Sequence, residues 1–217
     1  MARTLLLDLD GTLVDTVPDI AAALNRLMES RSLPPFTGPQ VAAMVGDGVA
    51  ALVTKAFAAH GQQADADAVA AFSADYGRNV AIHSRLFPGV IEALHDLTRC
   101  GWTLAVCTNK PERAARALLE ALDILPLLRA VGGGDSFPAR KPDPAHLLGT
   151  LARVGGDPSR ALMLGDHHND ISAAAGAGVK CVFALWGYGG AAQADGAVAV
   201  ARDMPEAVEA ANRLLPA

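Results

Sequence analysis

The sequence predicts an α/β protein, a doubly wound parallel sheet with an all-helical module inserted after its first strand. Three observations lead there. From Pro88 onward, short apolar runs alternate with segments of helical periodicity, the mark of βαβ units with helices on both faces of a parallel sheet. One further strand-like run, Thr4–Leu9, stands alone near the start. Between the two, residues 16–83 carry helical patterns only.

Taken in order, Thr4–Leu9 is mostly apolar, as expected for a strand buried on both faces. Gly11 and Thr12 make a turn, and Pro18 suits the first turn of a helix. Ile20, Leu24, Leu27 and Met28 recur at helical spacing until the prolines and glycine between Pro34 and Pro39 end that helix. Two helical patterns follow: Val41–Ala59, interrupted by Gly46 and Gly48, and roughly Asp67–Ile82, with Val69, Phe72 and Tyr76 on one face. Then come a helix over Gly89–Cys100, a strand over Thr103–Thr108, a helix opening at Pro111 and a short strand reaching Val131. The pattern ends with a helix from Pro144 to Val154, a strand over Ala161–Leu164, an Ala-rich helix, strands at Val179–Leu185 and Ala197–Val200, and a last helix from Pro205.

Bulk properties narrow the function. The 51% of hydrophobic residues is enough for a substantial core. A net charge of −5, with no run of Lys and Arg, argues against nucleic-acid or membrane-surface partners. Cys100, Cys107 and Cys181 are odd in number and far apart, so they read as buried small hydrophobes of a reducing compartment. The short apolar run in MARTLLLDLD meets charge at Asp8, unlike a signal peptide, and no segment approaches the roughly 20 apolar residues of a membrane span. A soluble, cytoplasmic protein is expected.

Ligands of open α/β sheets bind beyond the carboxyl ends of the strands. Asp8 and Asp10, Thr108 and Asn109, Lys141, and Asp166 with Asp170 lie at such ends or in the adjoining loops. Asp8 and Asp10, two residues apart, point to one side and repel unless a cation offsets them; a hard ion such as Mg²⁺ suits oxygen ligands. Asp15 and Asp19 read as capping or surface acids. Thr108 and Asn109 sit between a strand and a helix start, where a hydroxyl and free amides favour an anion, although on their own they are an ordinary turn. Lys110 is expected to be solvated unless it reaches substrate. Arg140 and Lys141 alone would be a solvated basic pair, in a loop stiffened by Pro142. In GDHHND, Asp166 follows a strand and Asp170 opens a helix. Zinc through His167 and His168 is disfavoured, because adjacent residues rarely converge on one ion and no HxxxH or Cys pattern accompanies them.

Gly187–Ala192 fits GxGxxA but has no βαβ unit after it, so it reads as a loop near the site and not as a dinucleotide fingerprint. His60, His83, His95 and His146 read as surface or capping residues, and Trp102 and Trp186 as packing at core edges.

The joint order of DxDGT, a hydroxyl after a strand, Lys-Pro and GDxxxD resembles the haloacid dehalogenase superfamily of aspartate-dependent phosphohydrolases. The likeness spans the chain. It implies a Rossmann-like haloacid dehalogenase core over residues 1–15 plus 84–217 and a helical cap domain over 16–83. Within the superfamily, DLDGTLVDTVPDI, MVGDGVAALV, CTNKP, GGGD, KPDP, GDHHNDISAAAGAG and GYGG resemble the phosphoglycolate phosphatase family. The chain departs from that family's usual pattern at Asp47, at His167 and in the late segment. The resemblance implies Asp8 as nucleophile, forming an aspartyl-phosphate, and Asp10 as general acid and base. It implies Mg²⁺ held by Asp8, the Asp10 carbonyl and Asp166, with Asp170 behind. Thr108, Asn109 and Lys141 would hold the phosphoryl group, and Gly46, Asp47 and Gly48 the rest of the substrate. The implied partner is a small phosphorylated metabolite, 2-phosphoglycolate first, and the implied assembly a monomer or homodimer. A sugar phosphomutase and a pyrophosphatase share the same core motifs; a non-enzymatic scaffold is disfavoured because every carboxylate and the lysine are present.

Overall fold

The structure, a computed structural model, describes residues 3–217. Its main sheet has six parallel strands: β1 (Arg3–Leu7), β4 (Trp102–Cys107), β5 (Ala130–Gly132), β6 (Ala161–Gly165), β7 (Lys180–Ala184) and β8 (Ala199–Ala201). Their order is β5-β4-β1-β6-β7-β8. The first strand is therefore central, with β4 on one side and β6 on the other, and the winding reverses beside it. A crevice at the carboxyl end of β1 follows from that reversal.

Alternation along the strands divides the core in two. Leu5, Leu7, Leu104, Val106, Leu162 and Leu164 face α5 (Val90–Arg99), α6 (Glu112–Ala121) and α9 (Met204–Leu214). Leu6, Ala105, Cys107, Met163, Cys181 and Phe183 face α7 (Pro144–Ala152) and α8 (His168–Gly176). Helices thus cover both faces, and the expected α/β class holds. No helix among the described residues is long and apolar enough to cross a membrane.

The helical segment after β1 contains α1 (Val17–Ser30), α2 (Gly38–Ala42), α3 (Val49–Ala59) and α4 (Ala66–Arg78). The Val41–Ala59 pattern is two helices, because Gly46 and Gly48 take positive φ values of 124° and 88° between them. Helix α4 ends at Arg78 and not near Ile82. The N–H groups of His83 and Ser84 turn instead to the carboxylate of Asp19, at 2.8–3.0 Å. Asp19 is consequently buried at 2% exposure, so of the two readings, a capping or a surface acid, the surface one is corrected. Where the chain leaves and rejoins the sheet region, β2 (Val14–Asp15) and β3 (Arg85–Leu86) pair antiparallel, so both crossings run side by side. Each strand is two residues long, too short to leave a periodicity in the sequence.

Cys100 is exposed, which corrects one of the three expected buried cysteines; Cys107 and Cys181 are buried.

Candidate active site

The carboxyl end of β1 delivers Asp8 and Asp10, the end of β4 delivers Thr108, Asn109 and Lys110, and the end of β6 delivers Asp166. Asp170 comes from the first turn of α8. Lys141 enters from the loop before α7 and is 3% exposed. Its ammonium donates to the Cys107 carbonyl at 2.7 Å and to Asp170 Oδ1 at 2.6 Å, and forms an ion pair with Asp8 Oδ1 at 3.0 Å. Burial works against its charge, but Asp170 and Asp8 outweigh burial and hold its pKa above the ordinary lysine value. Lys141 is no solvated loop residue.

The Lys141 backbone is held as well. Its N–H donates to His146 Nδ1 at 3.1 Å, and His146 Nε2 lies 3.3 Å from the Gly132 carbonyl. His146 is fully buried, which corrects its reading as a surface or capping histidine. Burial first, then the Lys141 charge, lowers its pKa to about 4, so the ring is neutral at physiological pH.

Oxygens of Asp8, Asp166 and Asp170 lie within 4.8 Å of one another, and all three side chains are buried. At such separations, each pair of ionised carboxylates repels by roughly 3–4 kcal/mol at an effective dielectric near 20. Burial, then the charges of Asp8 and Asp170, pushes Asp166 up to about 8. Burial also raises Asp170, against the pull of Lys141. A cluster of hard oxygen donors that resists ionisation fits a divalent cation such as Mg²⁺. Asp166 is oriented from both sides: Oδ1 accepts from Thr12 Oγ1 at 2.8 Å and Oδ2 from the Tyr188 N–H at 2.7 Å. Both histidines stand outside the cluster. His167 caps α8, with Nδ1 accepting from the Asn169 N–H at 3.3 Å, and His168 is exposed beside Gln193.

Over this floor lies the loop between α2 and α3. Asn109 Nδ2 donates to the Gly46 carbonyl and to the Lys141 carbonyl, both at 2.9 Å. The side-chain donors of Asn109 are therefore committed within the chain, and the Thr108 hydroxyl accepts from the Lys110 N–H at 3.2 Å. Asn169 Nδ2 reaches Asp47 Oδ1 at 2.8 Å, and Asp47 pairs with Lys55 at 2.7 Å. Gly46 is required here, since a Cβ on it would fall 2.8 Å from the His167 ring. A cavity of about 50 Å³ remains between loop and floor, lined by Asp8, Asp10, Thr108, Asn109 and Lys110, with Gly46 and Gly48 on its upper side. Asp47 is not among the lining residues; its carboxylate is turned to Lys55 and Asn169.

Lys110 is the largest departure from the sequence reading. It is buried, with Nζ 2.8 Å from Asp10 Oδ1 and 4.5 Å from the centre of the Tyr76 ring. Its two neighbours come from Asp10 and from α4, neither near it in sequence, so no local signal marked it. Thr12, Asn169 and Tyr188 are site residues to which the sequence reading gives no role, although all three lie inside the quoted motifs.

A family profile described as haloacid dehalogenase-like hydrolase matches residues 5–184. The chain is 46% identical over 189 residues to a phosphoglycolate phosphatase of Caulobacter vibrioides, covering 85% of this chain and 80% of that one. It is 42% identical to a phosphoglycolate phosphatase of Agrobacterium fabrum, over 83% and 79% of the two chains. Its fold matches the crystal structure of a predicted phosphoglycolate phosphatase from Haemophilus somnus with a TM-score of 0.87 at 32% identity, covering 96% of this chain and 97% of that one.

Proposed function

The chain belongs to the haloacid dehalogenase-like hydrolases, and on that premise we propose that it is a Mg²⁺-dependent phosphatase of a small phosphorylated metabolite, 2-phosphoglycolate first. Phosphoric monoester hydrolysis is the activity of its named relatives. The observation that carries the reading is Asp8, buried at the end of the central strand, 3.0 Å from the Lys141 ammonium and grouped with Asp166 and Asp170.

In this reading Asp8 attacks phosphorus and forms an aspartyl-phosphate, which water then hydrolyses. Asp10 protonates the leaving alkoxide and afterwards takes a proton from the attacking water. Lys141, the Thr108 hydroxyl and the Asn109 backbone N–H hold the phosphoryl oxygens, where charge is spread in the transition state. Asp8, the Asp10 carbonyl, Asp166 and Asp170 are the groups that would hold Mg²⁺. The bound ion supplies positive charge between an anionic nucleophile and an anionic substrate. Residues 16–83 act as a cap that excludes water, with Gly46 and Gly48 over the substrate and Asp47 holding the loop to Asn169.

Phosphate release from a panel of phosphomonoesters and pyrophosphate, with Mg²⁺ or EDTA, tests this. Wild-type protein should release phosphate from 2-phosphoglycolate with Mg²⁺ and not with EDTA, and Asp8→Asn should be inactive throughout. Activity that survives Asp8→Asn contradicts the nucleophile assignment.

A further inference from the structure

Lys110 has more hydrogen-bonding capacity than the chain uses. Lys141 donates to two oxygens, the Cys107 carbonyl and Asp170 Oδ1, and forms an ion pair with a third, Asp8 Oδ1. Lys110, equally buried, donates to one oxygen, Asp10 Oδ1, and lays one face on the Tyr76 ring. One N–H is left without an acceptor among the described residues, and the side chain lines the cavity. A buried ammonium left one bond short is costly, and a cavity beside it is where the missing acceptor belongs.

Position then specifies the acceptor, on the reading above that Asp10 protonates the leaving oxygen. Asp10 Oδ1 is 2.8 Å from Lys110 Nζ, so Lys110 adjoins the carbon that carries the leaving oxygen. A carboxylate on that same carbon would reach it; a group several bonds further would not. The other lining side chains are Ile20, Val45, Val49, Leu52 and Phe72, which offer a sugar's hydroxyls no hydrogen bonds, and Tyr76, whose buried hydroxyl is the one polar group among them. We propose that Lys110 forms a carboxylate subsite and selects phosphate esters of short 2-hydroxy acids over neutral phosphomonoesters and sugar phosphates. The ammonium then bridges Asp10 and the substrate carboxylate, fixing the leaving oxygen against its acid.

Steady-state kinetics on 2-phosphoglycolate, its neutral amide and ethyl phosphate test the assignment with Mg²⁺ present. In wild-type protein kcat/KM for the acid should exceed that for the amide by roughly 100-fold or more, because the amide leaves a buried charge unpaired. In Lys110→Met that ratio should collapse towards unity, and Lys110→Arg should restore part of it. Equal turnover of acid and amide by the wild-type protein overturns the subsite whether or not the variants fold. So does a folded Lys110→Met protein that loses activity on all three esters equally, which would make Lys110 a support of Asp10 alone. Failure of the parent reading looks different: no Mg²⁺-dependent phosphate release from any ester.

Discussion

Asp166 and its neighbour His167 differ by one position and sit in different chemical worlds. The Asp166 carboxylate is pinned by Thr12 and Tyr188 and turned to Asp8 and Asp170. The His167 ring caps α8 and packs on Gly46. A variant carrying His167→Ser and His168→Arg should keep most of its Mg²⁺-dependent turnover, since Ser is itself a favoured helix cap. Asp166→Asn should nearly abolish turnover. Loss of metal binding in the double-histidine variant, measured by calorimetric titration with Mg²⁺, would return the histidines to the ligand set. At this scale the motif carboxylates and Lys141 were legible, because charged groups at strand ends are few in so apolar a chain. Lys110 and His146 were not. Each looks like a surface residue until Tyr76, Asp10 and Gly132 are folded around it.

Among elements, the long ones were readable and the short ones were not. Helices of nine residues or more and the buried strands of the sheet have enough repeats to declare a period. The β2–β3 ribbon has two residues a side, and the end of α4 is set by Asp19, which is 64 residues distant from His83 in sequence. That ribbon is also where the loop containing Tyr188 acts. The Tyr188 hydroxyl accepts from the N–H groups of Thr16 at 2.7 Å and Val17 at 3.1 Å and donates to Asp15 at 2.8 Å. Its backbone N–H holds Asp166. One residue therefore joins the start of α1 to the carboxylate cluster. Tyr188→Phe strands two backbone donors and should cost about 1–3 kcal/mol of stability, seen as a lower urea midpoint with an unchanged slope. An unchanged midpoint would mean the hydroxyl contributes nothing to holding α1.

For the whole molecule, the buried carboxylates couple stability to pH and, on the proposed Mg²⁺ assignment, to metal. Asp166 in the metal-free protein is raised from 3.8 to about 8. The folded state keeps a proton that the unfolded chain gives up, so this stabilisation is complete below about pH 3.8 and is lost as pH rises through about 8. A divalent cation needs the ionised form, so its effect runs the other way. The gain in melting temperature on adding Mg²⁺ should therefore be larger at pH 8 than at pH 5.5, and Asp166→Asn should remove most of it. Scanning calorimetry in EDTA and in Mg²⁺ reads both; a gain independent of pH would contradict the titration assigned to Asp166.

The position of β1 has a consequence for how the chain is made. Its first paired residue, Arg3, meets Trp102, and Thr4 meets Ala161. On a ribosome adding roughly 5–20 residues per second, the nascent β1 waits about 5–20 s for one neighbour and longer for the other. During that interval α1–α4 are already emerging and can pack on one another. The segment bearing Asp8 is thus made well before either strand that flanks it.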